Sequence, residues 1–206
     1  KIFDYLANPK LTVQYLHRCN TLLVSPVTMR STLVELINRE IKAARQKKPA
    51  CIYLKLNSIS DHDLIEKLYE AANAGVDIKM IIRGIFCVLT DLKKTKKHIT
   101  AISLVDNYLE HARVMIFHNG GRKKAFLSSA DWMVRNLDHR IEVAALIKDE
   151  TIVQELQDIL DIQLADNVKA PILHRELSNN YVPVEEGSLR IRAQEKIYAY
   201  LKKNRK

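Results

Sequence analysis

CIYLKLNSISDHDLIEKLYEAANAGVDIKMIIRG, residues 51–84, sets two short apolar runs on either side of an amphipathic one. Cys51 to Leu56 is apolar, β-rich and too short for a helix, so it reads as a strand. Ser60 or Asp61 then offers a side-chain oxygen to the first turn of a helix carrying Leu64, Ile65, Leu68 and Ala72 on one face, and Gly75 stops it. Asp77 to Ile82 is the next strand. A strand, a helix and a second strand joined by short links normally build a parallel pair with a right-handed crossover.

Working outward, Thr21 to Ser25 is another short apolar run closed by Pro26. A helix follows from about Ser31, with Leu33, Leu36, Ile37, Ile41 and Ala44 at helical spacing. The expectation for residues 21–82 is therefore a parallel layer of three strands. Beyond Gly84 the pattern changes to a lysine-rich loop and then short strands near Thr100 to Leu104, Arg113 to Phe117, Lys124 to Leu127 and Arg140 to Ile147. Turns such as Asn119-Gly120-Gly121 separate them. Thr151 to Ala165 and Ala193 to Lys203 read as helices. The fold class is α/β: a sandwich with a mixed central sheet of about seven strands flanked by helices.

The chain has 206 residues, 47% of them hydrophobic, enough for one substantial core. Its first ten residues read as the end of an element with no beginning, and it opens on Lys1. The expected division is thus 1–20 as the tail of a preceding domain or linker and 21–206 as one domain. No apolar run approaches the roughly 18 residues that span a bilayer. Cys19, Cys51 and Cys87 are odd in number and widely spaced, as expected of reduced core thiols in a cytoplasmic protein. With 33 Lys and Arg against 24 Asp and Glu, the formal charge is +9, which favours a phosphate-rich partner. Basic clusters occur at Lys93, Lys94, Lys96 and Lys97, at Arg122, Lys123 and Lys124, and at Lys202, Lys203, Arg205 and Lys206; each alone is an ordinary solvated loop or tail.

Four groups of residues carry candidate chemistry. His111 and Arg113 stand two apart at the entrance of the strand ending at Phe117, where side chains two apart share a face. An imidazole able to move a proton or phosphoryl group beside a guanidinium fork suits phosphoryl chemistry, although an isolated pair of this kind is more often a strand-end histidine beside a solvated arginine. Arg83 follows a strand at its carboxyl end, where open α/β sheets collect ligands; a surface ion pair explains its position equally well. Ser128, Ser129 and Asp131 form a small-residue loop that would leave donors free for an anion. Arg140 and Glu142, again two apart, read either as a guanidinium oriented by a carboxylate or as a same-face ion pair.

The order and spacing of these motifs resemble the carboxyl-terminal, phospholipase-D-like domain of bacterial polyphosphate kinase. The residues that carry the likeness are Ile82-Arg83-Gly84-Ile85, Leu109-Glu110-His111-Ala112-Arg113-Val114, Asn119-Gly120-Gly121, Leu127-Ser128-Ser129-Ala130-Asp131-Trp132-Met133, Arg135-Asn136-Leu137-Asp138, Arg140-Ile141-Glu142-Val143 and Ala165-Asp166-Asn167-Val168-Lys169-Ala170. Lys55-Leu56-Asn57-Ser58 and Tyr181-Val182-Pro183 also fit. The resemblance implies reversible transfer of the terminal phosphate of ATP to inorganic polyphosphate through a phosphohistidine on the preceding domain, in a homo-oligomeric full-length protein. The isolated segment is then expected to be inactive. It implies that His111 faces the nucleotide phosphates as an acid or base, that Arg83 and Arg113 grip phosphate, and that Arg140 and Glu142 serve activity. Ser128, Ser129 and Asp131 would lie beside the histidine, and Mg²⁺ would arrive with ATP. Neither a membrane nor a specific nucleic acid is implied as a partner.

Three departures stand out. A phospholipase-D motif wants a lysine where Arg113 stands and an aspartate where His118 stands. Asn8-Pro9-Lys10 replaces an aromatic that packs on adenine in many members, and Leu89-Thr90-Asp91 replaces an arginine-proline-glycine turn. Two alternatives follow: a dimeric phospholipase-D-like phosphodiesterase or nuclease, which should retain that lysine and aspartate, and a non-catalytic polyanion-binding module acting through its charge.

Overall fold

The computed structural model describes residues 1–206 except Pro9, Asn20, Lys94, Lys96, residues 182–186, Ser188, Arg205 and Lys206. Pro9 in the adenine-side stretch, Lys94 and Lys96 in the lysine cluster, Val182 and Pro183 in the closing motif, and Arg205 and Lys206 in the tail thus lie outside the described residues. Seven strands form one sheet in the order β1-β7-β6-β5-β2-β3-β4. Their bounds are β1 (Leu22–Ser25), β2 (Cys51–Leu56), β3 (Asp77–Ile82), β4 (Ile99–Ile102), β5 (Arg113–Phe117), β6 (Lys124–Ser128) and β7 (Glu142–Ile147). Helices α2 (Met29–Arg45) and α3 (His62–Asn73) cover one face, and α4 (Glu150–Leu164) and α5 (Ala193–Asn204) cover the other.

Alternation within the strands builds both interfaces. Ile52, Leu54 and Leu56 of β2 and Ile78, Met80 and Ile82 of β3 point to α2 and α3, where they meet Leu33, Ile37, Leu64 and Leu68. The intervening Tyr53 and Ile81 join Val114, Ile116, Val153 and Leu160 in the second cluster. A sheet buried on both sides needs apolar residues at nearly every strand position, which explains the unbroken runs in the sequence. Asp61 is the residue that caps α3, its Oδ1 accepting from the Leu64 N–H at 3.0 Å. Gly75 follows that helix with φ +98°, a conformation that strains any residue with a Cβ. Asp149 caps α4 by accepting from the N–H groups of Thr151 and Ile152.

The expected parallel layer is only partly formed. β2, β3 and β4 are parallel neighbours, but β1 pairs antiparallel with β7 at the far edge. The antiparallel pairings between β1 and β2 leave these two strands running the same way with three others between them. A local pattern announces a strand and its direction, whereas the neighbour is chosen by β5, β6 and β7, which come much later in the chain. Residues 2–7 form the short helix α1, with no buried side chain, and residues 13–18 a 3₁₀ turn that buries Leu16. The cysteines are free, as expected, but they are not core thiols: Cys19 and Cys51 are half-buried and Cys87 is exposed.

Candidate functional site

All the candidate residues lie at one end of the sheet. The carboxyl ends of β2, β3 and β6 deliver Asn57 and Ser58, Arg83, and Ser128 and Ser129, while the amino ends of the oppositely directed β5 and β7 deliver His111, Arg113 and Glu142. Antiparallel insertion of β5 beside β2 is what brings a residue at position 111 next to one at position 83.

Their central contact is between Arg83 and His111. The Arg83 Nη2 donates to His111 Nδ1 at 2.9 Å and to Asn57 Oδ1 at 2.5 Å. A guanidinium has only donors, so Nδ1 must be the acceptor, and the neutral ring therefore carries its proton on Nε2. The same Arg83 buries an Nε that finds no acceptor among the described residues. A cleft of about 510 Å³ opens beside it, lined by Arg83, Gly84, Phe86, Ser103 and Lys169 with apolar walls from Pro171 and Leu173. A cleft wall that carries both an arginine and a lysine is suited to an anionic ligand.

The second candidate arginine is spent inside the protein. His111 precedes β5 rather than lying in it, so the expected shared face with Arg113 is absent. Arg113 turns instead to Asp131, with Nη2 to Oδ2 at 2.9 Å and Nε to Oδ1 at 3.2 Å, and its Nη1 donates to the His111 carbonyl at 3.0 Å. The Asp131 Oδ1 also accepts from the N–H groups of Asn57 at 2.8 Å and Ser58 at 3.0 Å. Burial alone would push this carboxyl up, yet Arg113 and the two backbone donors outweigh it and hold it below the usual carboxylate range. Arg113 and Asp131 thus brace the floor of the site.

The serine loop is likewise engaged rather than open. The Ser128 hydroxyl donates to the Val143 carbonyl and accepts from the Ala130 N–H, while the Ser129 N–H donates to the Val143 carbonyl. The Ser129 hydroxyl donates to Glu142, whose other carboxylate oxygen accepts from Asn136 Nδ2 at 2.8 Å. The expected donors for an anion are therefore in use. Arg140 and Glu142 do not pair: Arg140 lies before β7, is exposed, and has no side-chain hydrogen bond or ion pair among the described residues. A π-type turn at residues 135–139 separates the two roles by holding Asn136 against Glu142.

Sequence reasoning named Lys55 and Asn57 only as part of a matching motif and gave no role to Asn57, which fixes Arg83, or to Lys55 and Gln163, which hold Glu110 beside His111. A lysine within an otherwise apolar strand was the available signal, because a buried ammonium requires a partner.

A mixed sheet between two helical layers, with its polar residues gathered at one end, is the phospholipase D class of fold. Nuc, a phospholipase D family member from Salmonella typhimurium, matches with a TM-score of 0.50 at 15% identity over 75% of this chain and 97% of that one, a likeness of fold alone. The family described as polyphosphate kinase C-terminal domain 2 matches residues 22–194, and this chain belongs to it. It is 45% identical over 203 residues to the polyphosphate kinase of Escherichia coli K12, covering 98% of this chain and 29% of that one. The crystal structure of polyphosphate kinase from Porphyromonas gingivalis matches with a TM-score of 0.90 at 41% identity over 98% of this chain and 30% of that one. The chain therefore spans less than a third of the relatives it matches, and the expected family and fold are both borne out.

Proposed function

We propose that this chain is the nucleotide-phosphate side of a polyphosphate kinase site, working with an upstream domain that carries the phosphohistidine to move the terminal phosphate of ATP reversibly onto polyphosphate. The observation that carries the reading is the contact of His111 with Arg83, which itself lines the cleft together with Lys169. In this reading Arg83 grips a phosphate oxygen and fixes the ring tautomer. His111 Nε2 exchanges a proton with the phosphoryl group in transit, and exposed Lys169 adds charge. Arg140, exposed at the same end of the sheet and without a partner among the described residues, reaches outward to phosphate, while Glu142 shapes the serine loop. Residues 1–20 belong to the join with the upstream domain, and the complete enzyme is a cytoplasmic homo-oligomer. No described helix is long and apolar enough to cross a membrane.

Mg²⁺ is proposed as a companion of ATP. The side chains do not fit a protein-built cage, because Asp131 and Glu142 are committed to internal donors and no three acidic, histidine or cysteine groups converge among the described residues. An ion held by phosphate oxygens needs no such cage.

The test is a chimera in which this chain replaces the matching region of the E. coli enzyme. His111→Ala should lower ATP-dependent polyphosphate synthesis by about 10² or more, the usual worth of general acid–base catalysis. Synthesis at the unsubstituted rate would remove His111 from the reaction.

A further inference from the structure

His111 is exposed, and among the described residues its ring has one side-chain partner, Arg83. Packing therefore does little to orient it, and its placement must come from the backbone of the loop in which it sits. The neighbouring Glu110 is tied down far more strongly than a loop carboxylate requires. One of its oxygens receives both the Lys55 ammonium and the Gln163 side-chain amide, and the other receives Gln194 Nε2 at 3.1 Å. Lys55 Nζ also donates to Gln163 Oε1 at 2.9 Å, closing the arrangement.

These partners come from three separate elements: Lys55 from β2, Gln163 from α4 and Gln194 from α5. Gln194 does a second task, accepting from the Tyr108 N–H at 3.1 Å and donating to the Tyr108 carbonyl at 2.8 Å. Just before α5 starts, Arg192 holds Asp106 with contacts of 2.6 and 2.8 Å. The loop is thus gripped at 106, 108 and 110 from one side, while Arg113 holds the His111 carbonyl from the other. Lys55 is only 8% exposed, and its burial pulls the ammonium below its ordinary pKa against the opposing effect of Glu110. A charged group kept at that cost, where a methionine would pack, marks a constraint on the loop rather than on the core.

We infer that Glu110, held by Lys55, Gln163 and Gln194, is a positioning residue that sets the His111 ring against Arg83. Its importance for turnover rests on the phosphoryl-transfer role proposed for His111, but the positioning itself can be read without any activity. Displacements of about 1 Å at a reacting group cost up to about a hundredfold in rate.

The experiment uses isotope-labelled chain at mildly alkaline pH and correlates the ring protons of His111 with its two nitrogens. Gln194→Ala is the first variant, because Gln194 is only partly buried and its loss strands no charge. Glu110→Gln is the second. The double substitution Lys55→Met with Glu110→Gln is the third, since it removes the ammonium that Glu110→Gln leaves unpaired. With thermal melts confirming folded protein, the His111 nitrogens should leave the Nε2–H pattern for the averaged signals of a ring exchanging tautomers. His118, at the opposite end of β5, should not change. Unaltered His111 signals in the folded variants overturn the inference. In the chimera, the same substitutions should lower kcat about ten- to a hundredfold with KM for ATP within about twofold. If the ring signals move while kcat stays, the positioning stands and the catalytic reading of His111 is what fails.

Discussion

At the scale of single residues, Arg83 and Arg113 are held in different ways. Arg83 lines the cleft with an Nε that has no acceptor among the described residues, whereas Arg113 is neutralised by Asp131, and nothing in the sequence separates the two. Arg83 follows one apolar strand and Arg113 opens another, and both sit near small residues. The distinction arises from Asp131, which the chain brings to Arg113 through an antiparallel pairing of Arg113 with Ser128. Asp131 also gives this pair a pH dependence. Its carboxyl is held below the usual range in the folded protein, so its contribution to stability is full above the unfolded pKa of about 3.9 and is lost as pH falls through the folded value. Asp131→Asn should therefore destabilise the protein by on the order of 3 kcal/mol at neutral pH, the typical cost of breaking a buried pair. Denaturant melts should show that difference shrinking below about pH 4. A difference that stays constant down to pH 2 would mean that the carboxylate charge contributes nothing there.

At the scale of elements, periodicity identified every strand of the sheet and helices α2 to α5, with ends displaced by a few residues. Two strand starts matter for the site: β5 opens at Arg113, as expected, and β7 opens two residues later than expected. β5 begins at Arg113 and β7 at Glu142, so His111 and Arg140 lie in the preceding segments, outside the alternation that would have set each beside its neighbour. Period-two reasoning holds only while the ladder holds. The close approach at Gly84 was equally invisible, because its cause is a contact between β2 and the segment after β3. The Gly84 N–H donates to the Asn57 carbonyl at 2.6 Å, and a Cβ there would stand 2.9 Å from that same oxygen and 3.0 Å from the Ser58 hydroxyl. Backbone oxygen cannot swing aside as a side chain does. Gly84→Ala should therefore separate the two segments, lowering the melting temperature by roughly 2–12 °C, as overpacking of about 1–3 kcal/mol does in a domain of this size. It should also weaken the grip of Asn57 on Arg83. A melting temperature at or above that of the unsubstituted chain would show that the segments have room to relax.

At the scale of the whole molecule, the question is whether the +9 charge acts as a diffuse field or through the cleft. The basic residues divide by location. Arg83 and Lys169 line the cleft at the end of the sheet that gathers the site, whereas Arg122 and Lys123 lie at the other end, around a second pocket lined also by Lys148 and Glu150. A polyanion attracted only by net charge would lose affinity equally when either pair is removed, since long-range attraction depends on the sum and is screened beyond about 8–10 Å at ordinary salt. A polyanion seated in the cleft would distinguish them, because Arg83 offers directed donors at short range that salt screens far less. Titrating the chain with inorganic polyphosphate at low and moderate salt separates these cases. Affinity should fall with salt in every variant. Arg83→Ala with Lys169→Ala should cost tenfold or more at both salt concentrations, the worth of one or two charge-assisted hydrogen bonds at about 1.5–3 kcal/mol each. Arg122→Ala with Lys123→Ala removes the same net charge and should cost much less, with its effect vanishing at the higher salt. Equal losses from the two pairs would reduce the chain to a polyanion-binding surface and leave the cleft without a ligand.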